Sequence, residues 1–407
     1  MSSLPDVYDH LSIDDVNLDS LQVSMNGEFM ASGGLNVDHV ELGRSKEPRF
    51  GGIDMHLDSV SLAHDGFYLR CGAIMASSKK SMISIRNLSV DDPHGRRAFL
   101  PMLRVVDVNI QRSLSERKLV AGSLLARGFT VQDRMYLSTI GEVEADARAN
   151  RVVLHSIRIT PRFSKYEFSR RLGHQADRVN AQLAKITIDK ADLSAVFNKK
   201  MKAGKILIEG GKVDIFRDRR LPPSHHEIPL PVAYLESLPI EIQVSSLRFS
   251  ATNVSYEEYP RSGYGATGTL EIKDFQGSAE PFVNRQELAR SGFMFMKVAG
   301  SIMGSGTATC EVMMPFARNG SYIVRGSIRQ LDLPKLNASS ENLGKIHIKS
   351  GVLDLLDFDF RMSNTVSTGS IVGAYHQLII QPFKKHRDKK NVANMASFML
   401  RHFIIPL

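Results

Sequence analysis

Short stretches in which apolar and polar residues alternate recur along the whole chain, and they restrict its fold more than any other feature. Clear examples are KITID at 185–189, KILIE at 205–209, EIQVS at 241–245 and KIHIK at 345–349. Alternation with period two and many β-branched residues is typical of half-buried strands. The pattern therefore predicts a mainly β protein, with an antiparallel sheet that has one apolar face.

Several of these alternating stretches are followed, after a short break that contains glycine, by a second alternating stretch. KILIE is followed by Gly210 and Gly211 and then by KVDIF at 212–216, and Ser350 and Gly351 separate KIHIK from VLDLL at 352–356. A glycine in such a break suits either a β-bulge or a tight turn between two strands. The unit recurs at irregular intervals of roughly 20 to 40 residues, which indicates a loose repeat rather than a solenoid of fixed period.

The composition is that of an ordinary folding chain. Its 407 residues are 43% hydrophobic and 23% charged, with a formal net charge of +9, which excludes a disordered chain. Two cysteines, Cys71 and Cys310, are too few for a disulfide scaffold or a four-cysteine zinc site. The start lacks a signal-peptide pattern, and no run of about 18 apolar residues occurs. Taken alone, this predicts a soluble protein; a fragment that has lost an N-terminal anchor would have the same features.

Helical patterns are sparse. Five apolar residues fall on one helical face and predict a helix over 167–183: Phe168, Leu172, Ala176, Val179 and Leu183. A second helix is expected over 392–403. Between them lie Pro222, Pro223, Pro229, Pro231 and Pro239, so that residues 217–239 are expected to form a long loop and a candidate domain boundary.

Motifs that carry chemistry are weak. The GxGxxG match at 263–268 precedes the alternating stretch TLEIKD, not a helix, so it favours a flexible connection over a dinucleotide site. His225, His226 and Glu227 lack a second histidine at the metalloprotease spacing, and neighbouring prolines exclude the helix that this motif needs. The sequence thus predicts no catalytic residue, no metal site, no cofactor and no enzymatic activity.

A basic run followed by an amphipathic segment ends the chain. The cations are Lys384, Lys385, Arg387, Lys389 and Lys390, and the apolar side chains after them include Met395, Met399 and Phe403. This order is typical of a segment that contacts a membrane surface, although a solvated tail would have the same sequence. No aromatic residues are interleaved with the cations, which disfavours nucleic acid as a partner.

An apolar sheet face must be covered, and three arrangements can do so. A second sheet can pack on it as in a sandwich, helices can cover it, or the sheet can curl into a trough that holds acyl chains. If about half the chain forms strands of about eight residues, one continuous sheet would extend on the order of 120 Å. Open sheets of that length curl or split.

The C-terminal half resembles the AsmA-like proteins of Gram-negative envelopes, and its sequence pattern is closest to that of AsmA-like chains from Bacteroidetes-type bacteria. The resemblance covers about 184–405 and is carried by the stretches at 205–218, 238–244, 322–328 and 346–353. It implies a long curled antiparallel β-groove, or half-tube, related in design to TamB. It further implies phospholipid transport or outer-membrane biogenesis in the periplasm, in association with the inner membrane and envelope partner proteins, without a cofactor.

These observations predict an N-terminal β-groove portion at 1–165, an AsmA-like β portion at 166–383 and a basic tail at 384–407, with one or two short helices. Eight alternating residues are predicted to line the groove and contact phospholipid or another acyl lipid: Ile206, Ile208, Val213, Ile215, Ile242, Val244, Ile346 and Ile348. The alternative is a structural or adhesin-like β-sandwich that binds no lipid.

Overall fold

A computed structural model describes residues 10–13, 16–25, 29–37, 40–43, 46–50, 52–115, 120–224, 231–261, 266–289, 291–316, 320–363 and 366–382. The chain is mainly β, as the alternation predicts, and its helices are short. It divides into two compact units, Met1–Ile157 and Arg158–Leu407, called here unit 1 and unit 2.

In its described ranges, unit 1 is built almost entirely of strands, with one short helix, α1 (Ile110–Ser115). Its strands are β1 (His10–Ile13), β2 (Val16–Met25), β3 (Phe29–Val37), β4 (Val40–Gly43), β5 (Lys46–Phe50), β6 (Ile53–His64), β7 (Phe67–Cys71), β8 (Ala73–Ser77), β9 (Met82–Asp91), β10 (Arg97–Val106), β11 (Ser123–Gln132) and β12 (Tyr136–Asp146). The division between the units falls inside β13 (Arg151–Pro161).

The pairings in unit 1 are antiparallel. A small sheet has the order β1-β4-β5. In the larger sheet, β2 pairs with β3 and β3 with β6. Strands β7 and β8 share one position between β6 and β9, and β10, β11 and β12 follow.

The described part of unit 2 has strands that are mostly longer, three short helices and a few isolated turns of helix. Its strands are β14 (Asp177–Asp189), β15 (Lys200–Asp218), β16 (Glu241–Tyr259), β17 (Gly268–Glu280), β18 (Phe282–Val283), β19 (Phe293–Ile302), β20 (Gly306–Pro315), β21 (Tyr322–Asp332), β22 (Ile346–Met362) and β23 (Ser367–Pro382). Its helices are α2 (Lys165–Leu172), α3 (Pro231–Glu236) and α4 (Asn337–Ser339).

One pairing in unit 2 corrects the expectation of a wholly antiparallel sheet. Strands β15 and β16 run parallel over their whole length, from the pair Lys200 and Glu241 to the pair Asp218 and Tyr259. A parallel pair needs a connection of about a dozen residues or more, and residues 219–240 supply it. This connection is most of the predicted Pro-rich loop, but β15 extends to Asp218 and α3 lies inside the loop. Alternation could not reveal the direction because its period is two in both kinds of sheet.

The two alternating stretches around a glycine break form one long, bent strand. In β15 the bend is at Gly210, whose φ of 67° lies in the left-handed region that side chains other than glycine rarely adopt. Its neighbour Ala251 in β16 has φ 51°. The break is therefore a bend within a strand and not a turn between two strands.

The predicted helix over 167–183 is wrong beyond its first turns. Helix α2 ends at Leu172, because Gly173 adopts a left-handed conformation (φ 76°) and its N–H donates to the carbonyl of Ser169. Val179 and Leu183 lie in β14, which pairs with β15. Val179, Ala181 and Leu183 also alternate with the period of two that is typical of a strand. The sequence therefore fits both a helix and a strand here, and pairing with β15 favours the strand.

Candidate functional site

Two rows of apolar residues cross the large sheet of unit 1 in register. The first row passes from β2 to β12 through Leu18, Leu35, Met55, Ala76, Ile83, Val105, Leu124 and Ala145. The second passes from β3 to β12 through Gly33, Leu57, Ile74, Ile85, Leu103, Ala126 and Val143. Both rows lie on one side of the sheet, because their members are two residues apart on each strand. We call this side the apolar face of unit 1.

Bends within the strands of unit 1 keep apolar residues on this face along the length of each strand. In β9 the apolar residues Ile83 and Ile85 are followed by Leu88, an interval of three, and Asn87 between them has φ 54°. A left-handed residue in a strand shifts the alternation of side chains, so the change of interval returns Leu88 to the same side. Leu88 and Ile85 pack in one cluster with Ala31, Val60 and Cys71.

Gly128 makes the corresponding bend in β11. Its φ is 73°, and a Cβ there would lie 3.1 Å from Cγ of Pro101 in β10. The position therefore requires glycine both for its backbone conformation and for the close approach of the neighbouring strand.

The apolar face of unit 1 is only partly shielded from solvent. Val105 and Ala126 are buried, but Ile83, Leu103 and Leu124 are intermediate, and Leu18 is 43% exposed. Among the described residues, the hydrophobic cluster on this face draws its members from strands alone, with none from α1 or a loop. At about 4.8 Å per strand, the first row is about 34 Å long.

The opposite side of the same sheet is polar and carries ion pairs between strands. Arg97 Nε lies 2.6 Å from Oδ1 of Asp91, and Arg127 Nε lies 2.6 Å from Oε2 of Glu142. These arginines hold the pKa of Asp91 and Glu142 below the ordinary values. The sheet of unit 1 therefore has one charged side, which suits water, and one apolar side.

The apolar side of the unit 2 sheet is covered by segments that lie outside the long strands. Leu333 and Leu336, which follow β21, are at most 2% exposed, and they pack with Ile346 and Ile348 of β22. At another part of the same cluster, Val232 of α3 is buried, and its N–H donates to the hydroxyl of Tyr322 at 3.3 Å. In contrast to unit 1, this is a closed hydrophobic core.

Two asparagines fasten this cover to the sheet. Asn337 accepts a hydrogen bond from the N–H of Ile348 and donates one to its carbonyl, both at 2.8 Å. Asn284 is fully buried; it accepts from the N–H of Ile242 at 2.7 Å and donates to the carbonyls of Leu235 and Ile240 at 3.0 and 2.7 Å. Asn337 thus satisfies both backbone groups of Ile348, and Asn284 satisfies the N–H of Ile242 and the carbonyl of Ile240.

The eight residues predicted to line a groove lie in unit 2. Five are at most 6% exposed, and they belong to packed clusters: Ile206, Ile242 and Val244 to one, Ile346 and Ile348 to another. The other three, Ile208, Val213 and Ile215, are intermediate. The structure therefore places most of this set among protein side chains, and lipid contact at these positions stays a prediction.

A charged and aromatic cluster joins the ends of β15 and β16 to α2. Asp218 is 2% exposed and accepts from Nε and Nη2 of Arg220 at 2.9 and 2.7 Å, which holds its pKa below the ordinary value. The Arg220 guanidinium lies 4.1 Å from the ring centroid of Tyr259. The Tyr166 ring packs edge-on against Phe216. Since the members satisfy one another, the cluster is suited to holding α2 in place.

A hollow lies on the charged side of the unit 2 sheet. The hollow in unit 2 has a volume of about 1000 Å³ and is lined by side chains that include Lys297, Glu311 and Arg325. The ammonium of Lys297 lies 2.7 Å from Glu311, and Arg325 lies 2.8 Å from Asp359. Cys310 also borders this hollow, and burial raises its pKa to about 11, so its thiol is a poor nucleophile at neutral pH. No group of three or more potential metal ligands occurs among the described residues.

Other sequence predictions fall on residues outside the described ranges. They are the membrane-surface set of Lys384, Lys385, Arg387, Lys389, Lys390, Met395, Met399 and Phe403, the helix over 392–403, and the triplet of His225, His226 and Glu227. The glycine motif at 263–268 is described only at its end, where Gly268 begins β17.

Comparisons with known proteins give no family. No family model matches the chain, and no curated protein matches it. Among solved structures, the WD40 domain of SCAP from fission yeast aligns over 90% of this chain and 89% of its own, with 10% identity and a TM-score of 0.16. A similarity this low carries no argument about fold or function. In the part of the chain that the structure describes, no helix has the length and apolar character to span a membrane.

Sequence reasoning missed the apolar face of unit 1. The signal was present, but it is irregular: Ile83, Ile85 and Leu88 break strict alternation, as do Ala126 and Phe129 on either side of Gly128. A search for odd intervals around a glycine or asparagine would have found it.

Proposed function

We propose that this chain is a non-enzymatic lipid-binding protein that holds acyl chains against the apolar face of unit 1. The supporting observation is the pair of apolar rows that cross the sheet with side chains only partly shielded. Soluble proteins rarely leave a contiguous apolar surface of this size open, and such surfaces mark sites for apolar ligands, partners or membranes. An acyl chain is a ligand that needs no hydrogen-bond donors, and these rows offer none from their side chains.

The dimensions of the face suit such a ligand. The hydrocarbon core of a bilayer is about 30 Å thick, so that the acyl chains of one leaflet reach about 15 Å. The first row is about twice that length at the usual strand spacing. The charged opposite side keeps the sheet soluble while the apolar face holds hydrocarbon.

The resemblance of the C-terminal half to AsmA-like proteins supports the same class of function. We propose on this basis that the chain takes part in phospholipid transport or outer-membrane biogenesis in the periplasm, at the inner membrane and with envelope partners. The extended β-groove belongs to this proposal. The packed core of unit 2 favours a second candidate, a structural β protein without lipid.

Photo-crosslinking tests the proposal and separates the two candidates. A photoreactive residue in place of Leu103 or Leu124, on the apolar face, should capture radiolabelled phosphatidylglycerol or phosphatidylethanolamine from vesicles. The same residue in place of Arg104 or Leu125 serves as the control, because each is the next residue in its strand and faces the other side. A third site, Ile348, reports on the covered core of unit 2.

The expected pattern is capture at Leu103 and Leu124 and little at the other three positions. Equal capture on both sides of the sheet would mean non-specific contact and would contradict the proposal. No capture at any position would favour the structural β protein. Capture at Ile348 alone would move the site to the residues that the sequence predicted.

A further inference from the structure

Strand β23 has an unusual edge. Among the described residues it pairs with β22 and with no other strand, so its second edge presents a row of backbone donors and acceptors over 16 residues. Its side chains are exposed over most of this length, with Val372 at 66%, Tyr375 at 51% and Ile379 at 50%. A long, apolar edge of this kind is a template for pairing with another strand.

The edge also lacks charge, an internal proline and shortness, three of the features that normally prevent such pairing; its register with β22 is irregular around Gln377, whose φ is 53°. Residues 366–382 contain no lysine, arginine, aspartate or glutamate, whereas interior strands of unit 2 carry charges such as Lys297 on β19 and Glu311 on β20. Natural edge strands are usually protected by charge, by an internal proline or by shortness. The proline of β23, Pro382, is its last residue.

We propose that β23 is a dimerisation edge, which pairs antiparallel with β23 of a second copy of this chain. A strand without charge can pair with itself without placing like charges opposite each other, which would destabilise the pair. Antiparallel self-pairing has two-fold symmetry, the commonest symmetry of homo-oligomers. The new strand would also shield Ile371 and Ile380, which pack at the margin of the unit 2 core.

The charged residues that follow β23 in the sequence favour antiparallel over parallel pairing of the two copies. Residues 384–390 contain five cations and one aspartate, and they follow directly after β23. In a parallel pair the two basic runs would leave the interface side by side and repel each other. In an antiparallel pair they leave from opposite ends of 16-residue strands, about 50 Å apart, which is far beyond the screening length of about 8 Å at physiological salt.

Sedimentation equilibrium of the full chain tests this proposal and does not involve lipid. The expected mass at micromolar concentration is twice the 45.3 kDa of one chain. Val372→Lys should weaken the dimer at least about tenfold, because both copies lose an apolar contact and gain a like charge in one strand pair. Since Val372 is exposed, the substitution should leave the fold intact, which circular dichroism checks.

Phe295→Lys is the matched control. Phe295 is 45% exposed and lies on β19, which pairs on both edges, with β17 and β20. This variant gains the same charge and should dimerise like the unmodified chain. A monomer at all concentrations up to about 100 µM, or equal weakening by both variants, would overturn the proposal.

A chain truncated after Pro382 settles whether the tail occupies the edge instead. If the truncated chain dimerises and the full chain is a monomer, residues 383–407 cover β23, and the proposal of a second copy is wrong for the intact protein. If both dimerise and both are weakened by Val372→Lys, the proposal holds.

Discussion

A glutamate placed on the apolar side of each sheet should have very different effects in the two units. Ile85 and Ile348 form a matched pair: both are isoleucines inside strands, and both lie on the apolar side. Ile348 is 1% exposed and belongs to the covered core of unit 2. Ile85 is intermediate, and the described members of its cluster all lie in strands.

The magnitudes follow from this difference in burial. Ile348→Glu loses the transfer free energy of a fully buried isoleucine, about 2 to 3 kcal/mol, and leaves a carboxylate without partners, which adds about 1 to 3 kcal/mol or more. We expect a loss of about 4 kcal/mol or more in the free energy of unfolding. Ile85→Glu loses only part of the transfer term, because the carboxylate can reach water, and we expect about 1 to 2 kcal/mol.

Hydrogen exchange with urea titration is the suitable assay, because two units need not unfold in one transition. Protection of β8–β10 reports on unit 1, and protection of β21–β23 on unit 2. The alanine variants Ile85→Ala and Ile348→Ala separate the loss of apolar contact from the effect of charge. If Ile85→Glu costs as much as Ile348→Glu, then the face of unit 1 is covered in the folded protein and the candidate site is wrong.

Three further outcomes are expected. Asn284→Ala should lower the free energy of unfolding of unit 2 by about 3 kcal/mol, because it removes the side-chain partner of the Ile242 N–H and of the Ile240 carbonyl; Asn180→Ala, which removes one weak contact at 3.5 Å, should cost far less in the same urea titration. The pKa of Asp218 is lowered by Arg220, so the stabilising contribution of this ion pair is full above the ordinary carboxyl pKa and is lost as pH falls through the lowered pKa. The stabilities of the unmodified chain and Asp218→Asn should therefore converge as the pH falls well below the ordinary carboxyl pKa. A constant difference would show that the ion pair is not the cause. Removing residues 384–407 should abolish sedimentation with anionic vesicles, and binding by the full chain should weaken as salt rises; unchanged binding would mean that the tail is not the membrane contact.

Local pattern determined the class of fold and many of the strands. Alternation identified segments of β14, β15, β16 and β22 because side chains of a strand point to opposite sides at every step, whatever lies next to it. It also identified the breaks at Gly210 and Gly351. The charged and apolar sides of the sheets follow from the same pattern.

Long-range pairing decided the remainder. The parallel pair β15 and β16 has the same alternation as an antiparallel pair. Val179 and Leu183 have the spacing of a helical face in the sequence, but in the structure they lie in β14, which pairs with β15. Whether an apolar side is open or covered depends on residues distant in sequence, such as Asn337 beside Ile348 or Val232 beside Tyr322. The sequence alone therefore determined which side of each strand is apolar, because that is a local property, and only the tertiary structure decided which apolar sides are covered, because a cover is formed by contacts between distant segments.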